Sequence, residues 1–148
     1  MTTPEQLLED LAAGGQDIAQ LYADAMDSSL RIIEAVGDGQ WGNISAATEW
    51  TNRDVVNHIT YENLWAVELF GGKTIAEVGD ALESDLVGDG PLGAYRDSVT
   101  ATKAVILAPG AMDVICDLSL GPTVGGIYAL QLFQDLLIHG WDIAVGSG

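Results

Sequence analysis

The chain has 148 residues and carries 22 acidic against five basic side chains, which gives a formal net charge of −17. Hydrophobic residues make up 48% of it, enough for one globular domain with its own core. The five cations are scattered, at Arg31, Arg53, Lys73, Arg96 and Lys103. Because they form no basic patch, we expect the protein to bind neither nucleic acid nor an anionic membrane surface.

Cysteine usage and the N-terminus bear on the compartment. Cys116 is the only cysteine, so an internal disulfide cannot form, and we expect it to be a small core residue. The N-terminus lacks a basic segment followed by a long apolar run, so no secretory leader is predicted. Acidic residues interrupt the most apolar segment, residues 127–145, so it is not predicted to span a membrane. We therefore expect a cytoplasmic protein.

Apolar periodicity and helix-capping residues predict four principal helices. A short helix over Pro4–Ala13, with Thr3 as N-cap, precedes them. The principal helices are predicted over 16–36, 51–70, from Pro91 to about 106, and 126–145. Residues 73–90 are acidic and are predicted to form a long loop with one helical turn. Residues 112–120 alternate apolar and polar side chains before a Gly121-Pro122 turn signal, which indicates a short strand or hairpin.

These elements predict an all-α fold, a four-helix bundle with a short β-hairpin before the last helix. We expect one domain over residues 1–148, in which residues 1–15 form an N-terminal extension.

The last apolar segment carries the most informative polar residues. Asp135 and His139 lie four residues apart, on one face of a helix that its composition predicts to be buried nearly all round, and Asp142 continues the same stripe. A lone buried carboxylate is costly unless it is paired or binds a metal. The only other histidine, His58, lies on the broad apolar face of the 51–70 helix. Two histidines and one aspartate could form a metal site with open coordination positions.

Simpler interpretations of the same residues stay open. His58 could be a hydrogen-bonded core residue, and Asp135 could pair with His139 as a buried ion pair. Asp142, three residues after His139, could orient that ring or could be a surface or capping residue. Glu62, four residues after His58, could be a fourth ligand, an orienting partner or a solvated carboxylate.

Two segments resemble a known family. Residues 49–59 read E-W-T-N-R-D-V-V-N-H-I and resemble the E-W-T-x-R-D-L-x-x-H stretch of the DinB-like metal-binding superfamily. Residues 135–144 resemble the D-x-x-x-H-x-W-D-L-A ending of actinobacterial proteins related to the N-terminal domain of mycothiol-dependent maleylpyruvate isomerase. The resemblance extends from about Ile18 to the C-terminus. It implies a DinB-like four-helix bundle that holds a divalent metal through His58, Asp135 and His139.

The resemblance implies zinc, with nickel or iron as alternatives. It also implies a thiol-dependent transferase or isomerase, in which the metal binds a low-molecular-weight thiol such as mycothiol as a thiolate that attacks an electrophilic substrate. No catalytic or cofactor-binding residue beyond the metal ligands is identified. The alternative is a non-catalytic helical bundle that binds a small apolar ligand, with a homodimer as one form.

Two departures from the family weaken the transfer of function. Relatives usually continue beyond the segment that ends here at residues 146–148, so we expect a shortened or truncated member. The stretch before Gln16 is longer than the family predicts.

Overall fold

The computed structural model describes residues 2–148, which form six α-helices and one β-hairpin. The helices are α1 (Pro4–Ala13), α2 (Ile18–Glu34), α3 (Asn52–Phe70), α4 (Ile75–Val78), α5 (Pro91–Ile106) and α6 (Gly125–Gly146). The strands are β1 (Ile115–Leu118) and β2 (Gly121–Val124). No helix among these residues combines the length and the apolar character that crossing a membrane requires.

The four long helices α2, α3, α5 and α6 form the bundle. The α2 helix packs against α5 and α6, and α3 packs against the same two helices from the other side. Their apolar stripes meet in a single core, whose largest fully buried side chains include Tyr22, Met26, Ile59, Tyr95 and Ile143. The predicted all-α bundle is confirmed, and the predicted N-terminal extension is a helix that packs on α6.

The start of α3 fixes the position of the site residues that follow. The backbone N–H of Asp54 donates to Thr51 Oγ1 at 3.1 Å, and the N–H of Thr51 donates to Asp54 Oδ2 at 3.0 Å. These two bonds form a capping box, and caps of this kind stabilise a helix by about 1 kcal/mol. It places His58 two turns into the helix.

The hairpin before α6 differs in one detail from the prediction. Gly121 and Pro122 belong to β2, where they pair with Leu118 and Asp117, so the turn lies one step earlier, at Ser119 and Leu120. Gly121 has φ +119°, a conformation that suits glycine beside a tight turn.

Cys116 on β1 is fully buried, as predicted, and burial raises its thiol pKa.

The prediction that α6 is buried nearly all round is wrong. Leu137, Ile138, Trp141 and Val145 are each at least half exposed on its outer side. The α6 helix packs against neighbours on its inner side only. Gly140 allows close approach there, because a Cβ at this position would lie 3.4 Å from Ser29 Oγ on α2. The apolar composition of α6 therefore exceeds what the bundle buries.

Candidate metal centre

Helices α3 and α6 lie side by side and bring the four predicted polar residues to one point. His58 and Glu62 come from consecutive turns of α3, and Asp135 and His139 from consecutive turns of α6. Asp135 Oδ2 lies 3.2 Å from His139 Nε2 and 3.6 Å from His58 Nε2. Glu62 Oε1 lies 3.0 Å from His58 Nε2. The ion pair between Asp135 and His139, one of the simpler interpretations of the sequence, is present in this geometry.

A further carboxylate holds the His139 ring. Asp142, one turn farther along α6, places Oδ2 3.2 Å from His139 Nδ1. Its side chain is buried, so it is not the surface residue that the sequence left open. A partner on one ring nitrogen fixes the tautomer and the ring orientation, and here it directs Nε2 toward Asp135.

Trp50 is a site residue that the sequence analysis did not identify. Its ring centroid lies 5.0 Å from that of His58 and 5.9 Å from that of His139, so the indole covers both rings. An isolated bridge between Ile44 and Thr51 closes the loop that carries Trp50, and the Ser45 N–H donates to the Trp50 carbonyl at 2.9 Å. The available signal was the position of the tryptophan directly before the capped helix.

The carboxylates of the cluster determine the pKa values of its two histidines. The Asp135 carboxylate, and next Glu62, raise the pKa of His58 to about 9. Asp135 also raises the pKa of His139. In return His139, followed by His58, holds the pKa of Asp135 well below its usual range. Burial raises the pKa of Glu62, and His58 opposes that rise. Without another cation, protons on the histidines balance the two carboxylates.

The donor geometry fits a divalent ion. The three donor atoms from His58, Asp135 and His139 all lie within 4.8 Å of one another. Two ligands at about 2.1 Å from a tetrahedral zinc are separated by about 3.4 Å, close to the 3.2 and 3.6 Å measured from Asp135 Oδ2. That oxygen is buried and has no partner in hydrogen-bond geometry within the described chain. A buried acceptor facing two imidazole nitrogens is the arrangement that a metal ion would satisfy.

Two cavities of about 520 Å³ each border the cluster. The apolar cavity lies between α3, α4, the hairpin and α6, and reaches the cluster at Glu62 and Asp135. The polar cavity lies between the start of α3 and the loop around residues 82–85, and reaches the cluster at His58. Tyr61 lies between them and donates its hydroxyl to Glu83 Oε1 at 2.7 Å.

Residues 22–144 match the family described as the mycothiol maleylpyruvate isomerase N-terminal domain. The chain belongs to this family. Two uncharacterised proteins, from Mycobacterium tuberculosis strains CDC 1551 / Oshkosh and H37Rv, are each 25% identical to it over 136 residues. The aligned region covers 89% of this chain and 68% of either relative. No solved structure matches the chain.

The residues of the cluster all lie inside the region that the isomerase N-terminal domain family matches, whereas α1 lies outside it. The match therefore begins within α2 and runs past Asp135 and His139 to residue 144 in α6. Metal ligation by His58, Asp135 and His139 stays a prediction. The geometry adds that one donor atom from each residue lies within reach of a common ion.

Proposed function

We propose that the protein binds a divalent metal, zinc in the first place and nickel or iron as alternatives, through His58, Asp135 and His139. The buried Asp135 Oδ2, which faces both imidazole nitrogens and has no hydrogen-bond partner among the described residues, carries the proposal. Both imidazole nitrogens lie within 3.6 Å of this oxygen, so one divalent ion could bind all three donors in place of the protons that otherwise balance the carboxylate charge.

The chemistry we propose is thiol-dependent transfer or isomerisation. When bound, a metal with open positions supplies Lewis acidity, which lowers the pKa of a coordinated thiol. The family description names mycothiol, and the polar cavity beside His58 has room for a polar thiol. Such a cofactor stays reduced in the cytoplasm, so we propose that location.

The side chains of the chain have separable roles in this scheme. Asp142 holds the His139 ring, and Trp50 covers both imidazoles and limits the access of water. Glu62 lies at the junction of the cluster and the apolar cavity, and burial raises its pKa above the usual value of a glutamate. We propose that Glu62 accepts the proton of the incoming S–H group. The sulfur lone pair then forms the bond to the electrophilic carbon while the C=C π bond of an activated alkene or a C–O bond of an epoxide breaks, and Glu62 returns the proton to the resulting carbanion or alkoxide.

A non-catalytic function is the second candidate. The apolar cavity could hold a small ligand with no reaction, as ligand pockets of this size and lining commonly do. A homodimer stays a prediction of this alternative.

The deciding experiment measures metal and turnover on the same samples. Metal content is determined by elemental analysis for the wild type, His58→Ala and, as a control, Gln134→Ala, which changes an exposed residue of α6. The zinc-loaded proteins are then incubated with mycothiol and a panel of activated alkenes and epoxides. We expect one metal per chain and conjugation in the wild type and control, and neither in His58→Ala. Stoichiometric metal without turnover would favour the binding protein, and equal metal content in His58→Ala would refute the site.

A further inference from the structure

The apolar cavity is chemically distinct from the rest of this acidic protein. Its wall is made mostly of apolar and aromatic side chains, including Trp65, Leu69, Ile75, Leu118 and Leu132. The charged groups that line it, Glu62 and Asp135, both lie where the cavity meets the histidines. A ligand that fills the cavity therefore meets hydrocarbon along most of its length and carboxylates at the end where chemistry would occur.

No lysine or arginine lines this cavity within residues 2–148. The nearest in sequence, Lys73, pairs with Glu68 at 2.5 Å. Arg53 borders the polar cavity instead, and its guanidinium contacts both carboxylate oxygens of Asp85 and the Gly88 carbonyl. A carboxylate, phosphate or sulfonate group in the apolar cavity would thus find no cation to pair with, and burial of an unpaired charge is costly.

A bound metal would not reverse this preference. A divalent ion contributes two positive charges against the three carboxylates of Asp135, Glu62 and Asp142, so the centre carries a small net negative charge. A thiol that binds as a thiolate and passes its proton to Glu62 leaves this net charge unchanged. An anionic substrate would then be repelled at the reacting end as well as left unpaired along the wall.

Resting on the proposed function, we propose that the electrophilic substrate enters this cavity through an uncharged apolar or aromatic group. Substrates whose corresponding part carries a carboxylate, phosphate or sulfonate are rejected there. This substrate class differs from the dicarboxylate that the family name would imply. The polar thiol, by contrast, would approach from the cavity that contains Arg53 and His58.

The test compares two fluorescent probes that share one scaffold. N-phenyl-1-naphthylamine is uncharged, and 1-anilinonaphthalene-8-sulfonate adds a sulfonate to the same ring system. Both are titrated into the full chain, once metal-free and once loaded with zinc, and the metal content of each sample is measured. We expect the uncharged probe to bind at least tenfold more tightly in both states.

Two matched pairs of variants locate the binding. Gln131 borders the cavity on α6, whereas Gln134, also exposed on α6, lies outside it. We expect Gln131→Trp to weaken binding of the uncharged probe about tenfold, and Gln134→Trp to leave it unchanged. Gln131→Arg should improve binding of the sulfonate probe severalfold, and Gln134→Arg should not.

The outcomes separate this inference from the proposed function. Equal affinity for both probes, or no effect of Gln131→Trp, would overturn the inference even if zinc binds stoichiometrically. Tight and selective binding of the uncharged probe in protein that fails to take up zinc would support the cavity preference while refuting the metal centre.

Discussion

Two polar clusters lie between the helices of the bundle, and they differ in how their hydrogen bonds are satisfied. In the middle of the bundle the Tyr22 hydroxyl donates to Asn63 Oδ1 at 2.9 Å, and Asn63 Nδ2 donates to Ser98 Oγ at 3.1 Å. The Ser98 hydroxyl in turn donates to the Tyr95 carbonyl at 2.7 Å. At the His58 cluster, by contrast, two carboxylates face two histidines, and Asp135 Oδ2 has no hydrogen-bond partner within the described chain.

The difference is the one expected between a structural cluster and the proposed metal site. The central network joins α2, α3 and α5 with neutral groups that mostly use one another as partners, although the buried Tyr95 hydroxyl has no partner in hydrogen-bond geometry within residues 2–148. The His58 cluster is charged, partly accessible from two cavities and incomplete without protons or a cation. Removing a member of the first should therefore affect folding, and removing a member of the second should affect ligand binding.

The largest expected loss of zinc affinity follows from removing the charge of Asp135, the carboxylate between the two histidines. Asp135→Asn keeps the shape of the side chain but removes its charge, and we expect zinc affinity to fall more than about 100-fold. Competition with a chromophoric chelator measures this. Asp97→Asn is the control, because it removes the same charge at an exposed position on α5. This variant should bind zinc as the wild type does. Comparable affinity in Asp135→Asn and the control would remove the distinction between the two clusters.

The converse variant acts on the central network. Asn63→Ala leaves the buried Tyr22 hydroxyl without its acceptor and opens a cavity, so we expect the free energy of unfolding to fall by about 2–4 kcal/mol. Tyr22→Phe, which deletes only the hydroxyl, should cost about 1–2 kcal/mol. Urea denaturation of the metal-free proteins provides both values. In the folded Asn63→Ala protein zinc affinity should be unchanged, and a large loss of affinity would show that the clusters are coupled.

The pH dependence of zinc binding reports the protons that the metal must displace. Because the pKa of His58 is raised to about 9, its imidazole is protonated at neutral pH in the metal-free protein. Zinc requires the neutral ring, so apparent affinity should rise at least about tenfold per pH unit between pH 7 and 8 and level off above about 9. Calorimetry in buffers of different ionisation enthalpy should detect at least one proton released at pH 7. Release close to zero would contradict the protonated state of the cluster.

The raised pKa of His58 also affects the stability of the metal-free protein. Stability should fall as the pH rises, whereas zinc affinity should increase. A group whose pKa is higher in the folded than in the unfolded state stabilises the fold fully below its unfolded pKa, about 6.5, and loses that contribution as pH rises through about 9. The metal-free protein should therefore lose thermal stability between these values. His58→Gln should flatten this part of the profile.

The bundle and the His58, Asp135 and His139 triad could be predicted because both depend on local patterns. Capping residues such as Thr51 set helix starts, and a spacing of four residues places Asp135 and His139 on one face whatever the neighbours are. Convergence with His58 was expected from its place on the apolar face of the 51–70 helix and from the family resemblance.

What the sequence could not show depends on the packing between helices. The outer face of α6 is exposed at Leu137 and Trp141 because only packing decides which part of an apolar helix finds a partner. The position of Trp50 over both imidazoles depends on the path of a loop, which has no period to interpret. The two cavities likewise arise from the placement of α4 and the hairpin against α3 and α6.

The smallest change in zinc affinity that still distinguishes the two clusters is expected from substitution of Asp142. Its carboxylate contacts His139 Nδ1 and would not touch the metal, so it acts through the orientation and basicity of the ring. Asp142→Asn keeps an oxygen at the same position but removes the charge, and we expect zinc affinity to fall about tenfold, the lower end of such effects. The stoichiometry of one metal per chain should persist, because all three ligands remain. If Asp142 were purely structural, its substitution would instead lower the free energy of unfolding and leave the zinc affinity of the folded protein unchanged, so both quantities are measured on the same preparation.

Asp142→Ala should weaken zinc binding further than Asp142→Asn, since only the amide can still contact Nδ1. If Asp142→Asn binds zinc as tightly as the wild type, the carboxylate has no role in positioning His139.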